Sequence, residues 1–140
     1  MQKRLYGNTG KNISVIGFGG MRFTEPENID EMAELVLYAY RCGVNYFDTA
    51  PGYCRDKSEL IMAAAISDMQ PGTFYIATKS GRADGAELRR QLETSLKRLG
   101  VERIHFFHIW CVVTLDEWRE RVKGGAVSAA LKAREEGLIE

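Results

Sequence analysis

The chain has 140 residues, 45% hydrophobic and 27% charged, which is enough for one domain with its own core and too few for two of ordinary size. Its 19 lysines and arginines balance 19 aspartates and glutamates, so no net field draws it to nucleic acid or to an anionic membrane surface. No apolar run is long enough to span a bilayer, and Met1-Gln2-Lys3-Arg4 does not lead into the apolar core of a signal peptide; Cys42, Cys54 and Cys111 lack metal-type spacing, which predicts free thiols in a reducing cytoplasm.

Lys3 to Tyr6 and Asn12 to Val15 flank the turn-forming GNTGKN, which predicts an opening β-hairpin. Val15 to Phe18 is apolar and reads as the first core strand. It ends in Gly19-Gly20-Met21-Arg22, where missing side chains let the backbone lie close to something flat or charged; a tight turn explains the glycines equally well. Asn28 with Glu31 fits a helix-opening capping box, followed by Met32, Leu35, Val36, Ala39 and Tyr40 at helical spacing until Gly43.

The second core strand, Val44 to Phe47, stops at Asp48, and Pro51-Gly52 marks a turn that leads into Tyr53. Asp56 with Glu59 fits a second capping box, with Leu60, Ile61, Ala64 and Ala65 as a buried stripe. Pro71-Gly72 precedes a strand from Phe74 to Thr78 that stops at Lys79. Asp84 with Glu87 opens a helix with Leu88, Leu92, Leu96 and Leu99 on one face, and Gly100 closes it. Ile104 to Phe107 reads as the fourth core strand and delivers His108. Thr114 with Glu117 caps a short helix, Ala126 to Glu136 forms a last one, and Leu138-Ile139 begins a further strand.

Asp48, Lys79 and His108 are spaced 31 and 29 residues apart, close to the ~30 residues of one strand-helix-strand unit. Strands that are almost wholly apolar are covered on both faces, as in parallel α/β sheets. The pattern predicts an N-terminal hairpin and about four β/α units of a (β/α)8 TIM-type barrel, with a doubly wound sheet as the alternative. In either fold the strand ends gather at one functional face.

A tyrosine, with an ordinary pKa near ~10, delivers a proton at neutral pH only where its phenolate is favoured. A nearby lysine ammonium favours it, an aspartate holds the lysine charged and in place, and a histidine can orient a bound oxygen. That grouping suits proton delivery to a carbonyl oxygen while a nicotinamide supplies hydride to the carbon. The plain alternatives are a loop cap for Asp48, a solvated charge for Lys79, a half-buried aromatic for Tyr53 and a structural imidazole for His108.

The segments LYGNTGKNISVIGFGGMRF, GVNYFDTAPGY, ATKS and LKRLGVERIHFFHIW, in this order, resemble the N-terminal half of the aldo-keto reductases, NADPH-dependent (β/α)8-barrel carbonyl reductases. The resemblance implies Tyr53 as general acid, Lys79 as its phenolate-favouring partner, Asp48 as support for Lys79 and His108 as the substrate-orienting group. It places Gly20, Met21 and Arg22, with Asp48, beside the nicotinamide of NADP(H). HIWCVVTLDEW and AALKAREEGLIE look most like a bacterial and archaeal branch whose members often carry a C-terminal ferredoxin-like domain with iron-sulfur clusters. The expectation is a partial reductase domain over residues 1–140 that keeps the catalytic residues, lacks most of the family's cofactor grip, and presents open sheet edges suited to self-association. A non-catalytic partner-binding or regulatory half-barrel is the rival. The substrate is expected to be a small carbonyl compound.

Overall fold

The computed structural model describes residues 1–140. The opening hairpin pairs β1 (Lys3–Leu5) antiparallel with β2 (Asn12–Ser14). Asn45 fastens it to the sheet: its Oδ1 accepts from Ser14 N at 2.7 Å, its Nδ2 donates to Asn12 O at 3.0 Å, and its own N donates to Ser14 Oγ at 3.0 Å.

Four strands then alternate with helices: β3 (Phe18–Gly19), α1 (Ile29–Arg41), β4 (Tyr46–Asp48), α2 (Ser58–Ser67), β5 (Tyr75–Ser80), α3 (Gly85–Leu99) and β6 (Phe106–Ile109). They are followed by α4 (Leu115–Lys123) and α5 (Ala126–Glu135). The sheet order is β3-β4-β5-β6, parallel throughout. Ile104 makes a parallel bridge to Ile139, where a further strand was expected to begin.

The core lies on one face of this sheet. Phe47 and Ile76 meet Met32, Val36 and Leu37 of α1, Ile61 and Met62 of α2, and Leu92, Leu96 and Leu99 of α3. The opposite face presents Tyr46, Asp48, Tyr75, Lys79, Phe106 and His108. Consecutive strand order with helices on one side is the pattern of a barrel sector; a doubly wound sheet reverses its order and takes helices on both faces.

Several local expectations are corrected. The first core strand shrinks to two residues, because Val15 and Ile16 lie at the surface, 49% and 58% exposed. The fourth shifts toward the rim, from 104–107 to Phe106–Ile109. In α1 Leu35 is exposed and Leu37 buried, so the inward stripe is Met32, Ala33, Val36 and Leu37. Asn28 stands at the N-cap but makes no capping bond to the backbone; its side-chain amide bonds Glu31 instead. The N-cap of α2 is Lys57, and Asp56 points elsewhere. The other two caps form as expected: Asp84 accepts from Glu87 N at 2.9 Å, and Thr114 with Glu117 makes the full reciprocal box.

Candidate active site

Strand register decides which side chains share the rim. Gly19 pairs with Asp48 and Asp48 with Ala77, and Lys79 follows Ala77 by two residues on the same face, in register with His108. Asp48 and Lys79 therefore face each other diagonally across two strands. Lys79 Nζ donates to Asp48 Oδ2 at 2.6 Å and lies 3.4 Å from Tyr53 Oη. The lysine side chain is only 8% exposed and the aspartate 28%, so each charge depends on the other in place of water.

Tyr53 arrives from a tight turn. Pro51-Gly52 reverses the chain, with Gly52 left-handed at φ 81°. Cys54, Arg55 and Asp56 continue left-handed at φ 53°, 52° and 70°, a conformation that costs a non-glycine residue about 1–2 kcal/mol. Side chains and backbone hold this run. Asp56 Oδ1 accepts from Gly52 N at 3.1 Å, and Cys54 Sγ lies 3.3 Å from Met21 O and 3.5 Å from Gly20 O. Arg98 hydrogen-bonds Asp56, and this bond is the main reason the Asp56 carboxyl sits below the usual carboxylate range.

Trp110 lies just past the end of β6, two residues after His108. Its indole meets the Tyr53 ring edge-on at 5.7 Å and 85°. Lys79 Nζ lies 4.9 Å from the Tyr53 ring centre and 6.0 Å from that of Trp110, so the ammonium occupies a corner between two aromatic rings and one carboxylate. The period-two alternation of a strand puts Trp110 on the same face as His108, which is the signal that could have nominated it.

His108 is half-buried beside Lys79, and no hydrogen bond joins its ring to Tyr53 or Lys79. Burial pushes its pKa down, the Asp48 carboxylate opposes this, and the Lys79 ammonium adds to it. The ring is therefore a neutral imidazole at neutral pH, able to donate or accept one hydrogen bond. His105 has a structural place instead, its Nδ1 accepting from Ile76 N at 3.2 Å.

The Gly20 segment has a packing reason of its own. A Cβ on Gly20 would come within 2.5 Å of Ser58 Oγ, 2.8 Å of Met62 Cε and 3.2 Å of the Asp48 carbonyl, so Ser58 and Met62 would have to shift to admit a side chain. Gly20 N donates to Asp48 O at 2.7 Å, and Gly20 O accepts from Ser58 Oγ at 2.8 Å. Next to it Gly19, Met21 and Arg22 are exposed at the rim, and a Cβ on Gly19 would meet nothing. A flat ring thus has open surface there to lie against. From Lys79 and Trp110 a cleft of about 330 Å3 opens past Pro51 and Arg82 to Cys111.

A parallel sheet in consecutive strand order with helices on one side places the chain in the (β/α)-barrel class. The chain matches the aldo/keto reductase family over residues 15–139 and belongs to that family. L-galactose dehydrogenase from Arabidopsis thaliana is 32% identical over 119 residues, covering 77% of this chain and 37% of that protein. The NADH-specific methylglyoxal reductase of Escherichia coli is 26% identical over 133 residues, covering 76% and 41%. A solved aldo-keto reductase from Pseudomonas aeruginosa superposes with a TM-score of 0.83 at 29% identity, over 98% of this chain and 56% of that one. The chain thus spans between about a third and just over half of the relatives it matches.

Proposed function

We propose that this rim carries the NAD(P)H-dependent reduction of an aldehyde or ketone to an alcohol, with Tyr53 as general acid. The observation that carries the reading is the position of one ammonium, bonded to Asp48 at 2.6 Å and 3.4 Å from the Tyr53 hydroxyl. As Tyr53 gives its proton to the carbonyl oxygen, the phenolate left behind is stabilised by the adjacent Lys79 charge. Asp48 keeps that charge in place and aimed. His108, held neutral, can orient the substrate oxygen, and Trp110 keeps water from one side of the pair.

Gly20, Met21 and Arg22, with Asp48, would border the nicotinamide, and the open surface at Gly19 supports that placement. When bound, a reduced nicotinamide supplies the hydride to the carbonyl carbon. NADP(H) is the cofactor by family resemblance, a small carbonyl compound the substrate, and the cytoplasm the compartment. Self-association through the open edges at β3 and β6 belongs to the same proposal.

The test is NADPH and NADH oxidation with a panel of small aldehydes, comparing the parent chain with Tyr53→Phe. Loss of a positioned general acid is expected to lower kcat by about 10²–10⁴-fold while the circular dichroism spectrum is kept. Equal rates in both chains would remove Tyr53 from the reaction. Absence of NADPH binding by the parent chain agrees with a partial domain that lacks most of the cofactor grip, and micromolar binding would overturn that expectation.

A further inference from the structure

Arg98, in the last turn of α3, reaches the segment that follows Tyr53. Its Nη1 donates to Asp56 Oδ2 at 2.6 Å and its Nη2 to the carbonyl oxygen of the same residue. Its Nε lies 3.4 Å from Glu59 Oε2. Glu59 is 1% exposed, and its Oε1 accepts from Thr78 Oγ1 at 3.0 Å. Thr78 immediately precedes Lys79 on β5. One guanidinium therefore ties the turn carrying the phenol to the strand carrying the ammonium.

The backbone explains why a tie is needed. Cys54, Arg55 and Asp56 are three consecutive non-glycine residues in the left-handed region, which L-residues visit singly and at a cost. The competing conformation is a right-handed continuation of α2, whose first turn begins directly afterwards at Ser58. Adding those residues to the helix would rotate Tyr53 away from Lys79 and Trp110. An ion pair between exposed groups contributes little. This one differs because it is forked onto both the carboxylate and the backbone of Asp56, while its Nε faces the buried Glu59 carboxylate at ion-pair distance with no hydrogen bond between them.

We propose that Arg98 is a positioning residue for Tyr53: its fork holds residues 54–56 left-handed and so keeps the phenol against Lys79. The kinetic consequence rests on the reductase reading, whereas the conformational one does not. The rival is a simple staple between α2 and α3.

Three measurements on the full chain separate them: amide hydrogen exchange, fluorine NMR of meta-fluorotyrosine at position 53, and aldehyde reduction. In Arg98→Ala the amides of residues 52–57 are expected to exchange on the order of tenfold faster or more, with those of β5 and β6 unchanged. The fluorine line moves toward its solvent-exposed position as the ring leaves Trp110. Displacement of the acid lowers kcat on the order of a hundredfold with KM nearly constant. Adding Arg55→Gly, which relieves the left-handed cost at one of the three residues, moves the line and the rate part of the way back toward the parent. Asp56→Asn, at an exposed side chain, gives a weaker version of the same changes should Arg98→Ala not fold. Unchanged exchange and an unmoved line overturn the proposal, as does faster exchange spread evenly over α2 and α3 with no recovery by Arg55→Gly. In a parent chain without turnover, exchange and fluorine NMR decide the clamp by themselves.

Discussion

The inward face of the sheet is built differently at its two ends. At the N-terminal ends of the strands the hairpin's Tyr6 meets Phe106 edge-on at 5.1 Å, and Tyr46 and Tyr75 meet the same Phe106 ring at 5.4 and 6.1 Å. Two residues along β4, and four along β5, the same face carries Asp48 and Lys79. The aromatic end gains stability from ring packing that tolerates small displacements. The rim holds desolvated charges, whose pairing offsets a penalty and adds little net stability. The two ends also communicate. Tyr46 has its pKa pushed up to about 12, first by burial and then by the Asp48 carboxylate and by Tyr6, so its hydroxyl remains protonated below the working rim.

The largest test of this contrast is at the rim. Asp48→Ala leaves the Lys79 ammonium nearly enclosed without a partner, and urea unfolding is expected to show a loss of about 3–5 kcal/mol. The double change Asp48→Leu with Lys79→Met is expected to recover most of it, because apolar side chains remove the desolvation penalty. A destabilised double variant would mean that the rim pair stabilises the fold in its own right. At the other end, Phe106→Ala is expected to cost about 3 kcal/mol, at the low end for removal of a packed aromatic ring. The fluorine signal of labelled Tyr53 should not move. A shift there would show that the aromatic floor also sets the rim geometry.

The smallest effect is in pH dependence. Burial is the leading cause that holds His105 and His108 below the ordinary histidine range. A depressed histidine pKa means that the unfolded chain binds protons the folded chain resists. Stability is therefore complete above the ordinary value near ~6.5 and falls as pH drops below it. Urea midpoints between neutral and mildly acidic pH are expected to decline, and to decline less in His108→Gln. Equal slopes in the two chains would show that the rim imidazole is solvated.

What could be read from the residues differs from helix to helix for a physical reason. In α3 the leucines at 88, 92, 96 and 99 are all buried, and Asp84 caps the first turn, because one helix against one sheet face imposes a single apolar stripe. In α2 the buried set is Ser58, Glu59, Ile61, Met62 and Ala65. Its polar members are buried by partners outside the helix: Ser58 by Thr49 and the Gly20 carbonyl, and Glu59 by Thr78 and Arg98. No local pattern announces such partners. Asp56 shows the same limit, since Asp three residues before Glu is the spelling of a capping box, yet the chain is left-handed there and the carboxylate turns to Arg98.

Local order and periodicity were thus sufficient to determine the strand-helix repeat and the delivery of Asp48, Lys79 and His108 to one rim, whereas the choice of a barrel over a doubly wound sheet came from the strand order of the folded chain. These depend on hydrophobic spacing and on the obligatory alternation of strand faces, both written residue by residue. Only the folded chain decided that Trp110, just past the end of β6, packs against Tyr53, that Gly20 is small for the sake of Ser58 and Met62, and that Arg98 grips the turn behind the phenol. Each of those is a contact between segments far apart in the chain, set by register and helix packing.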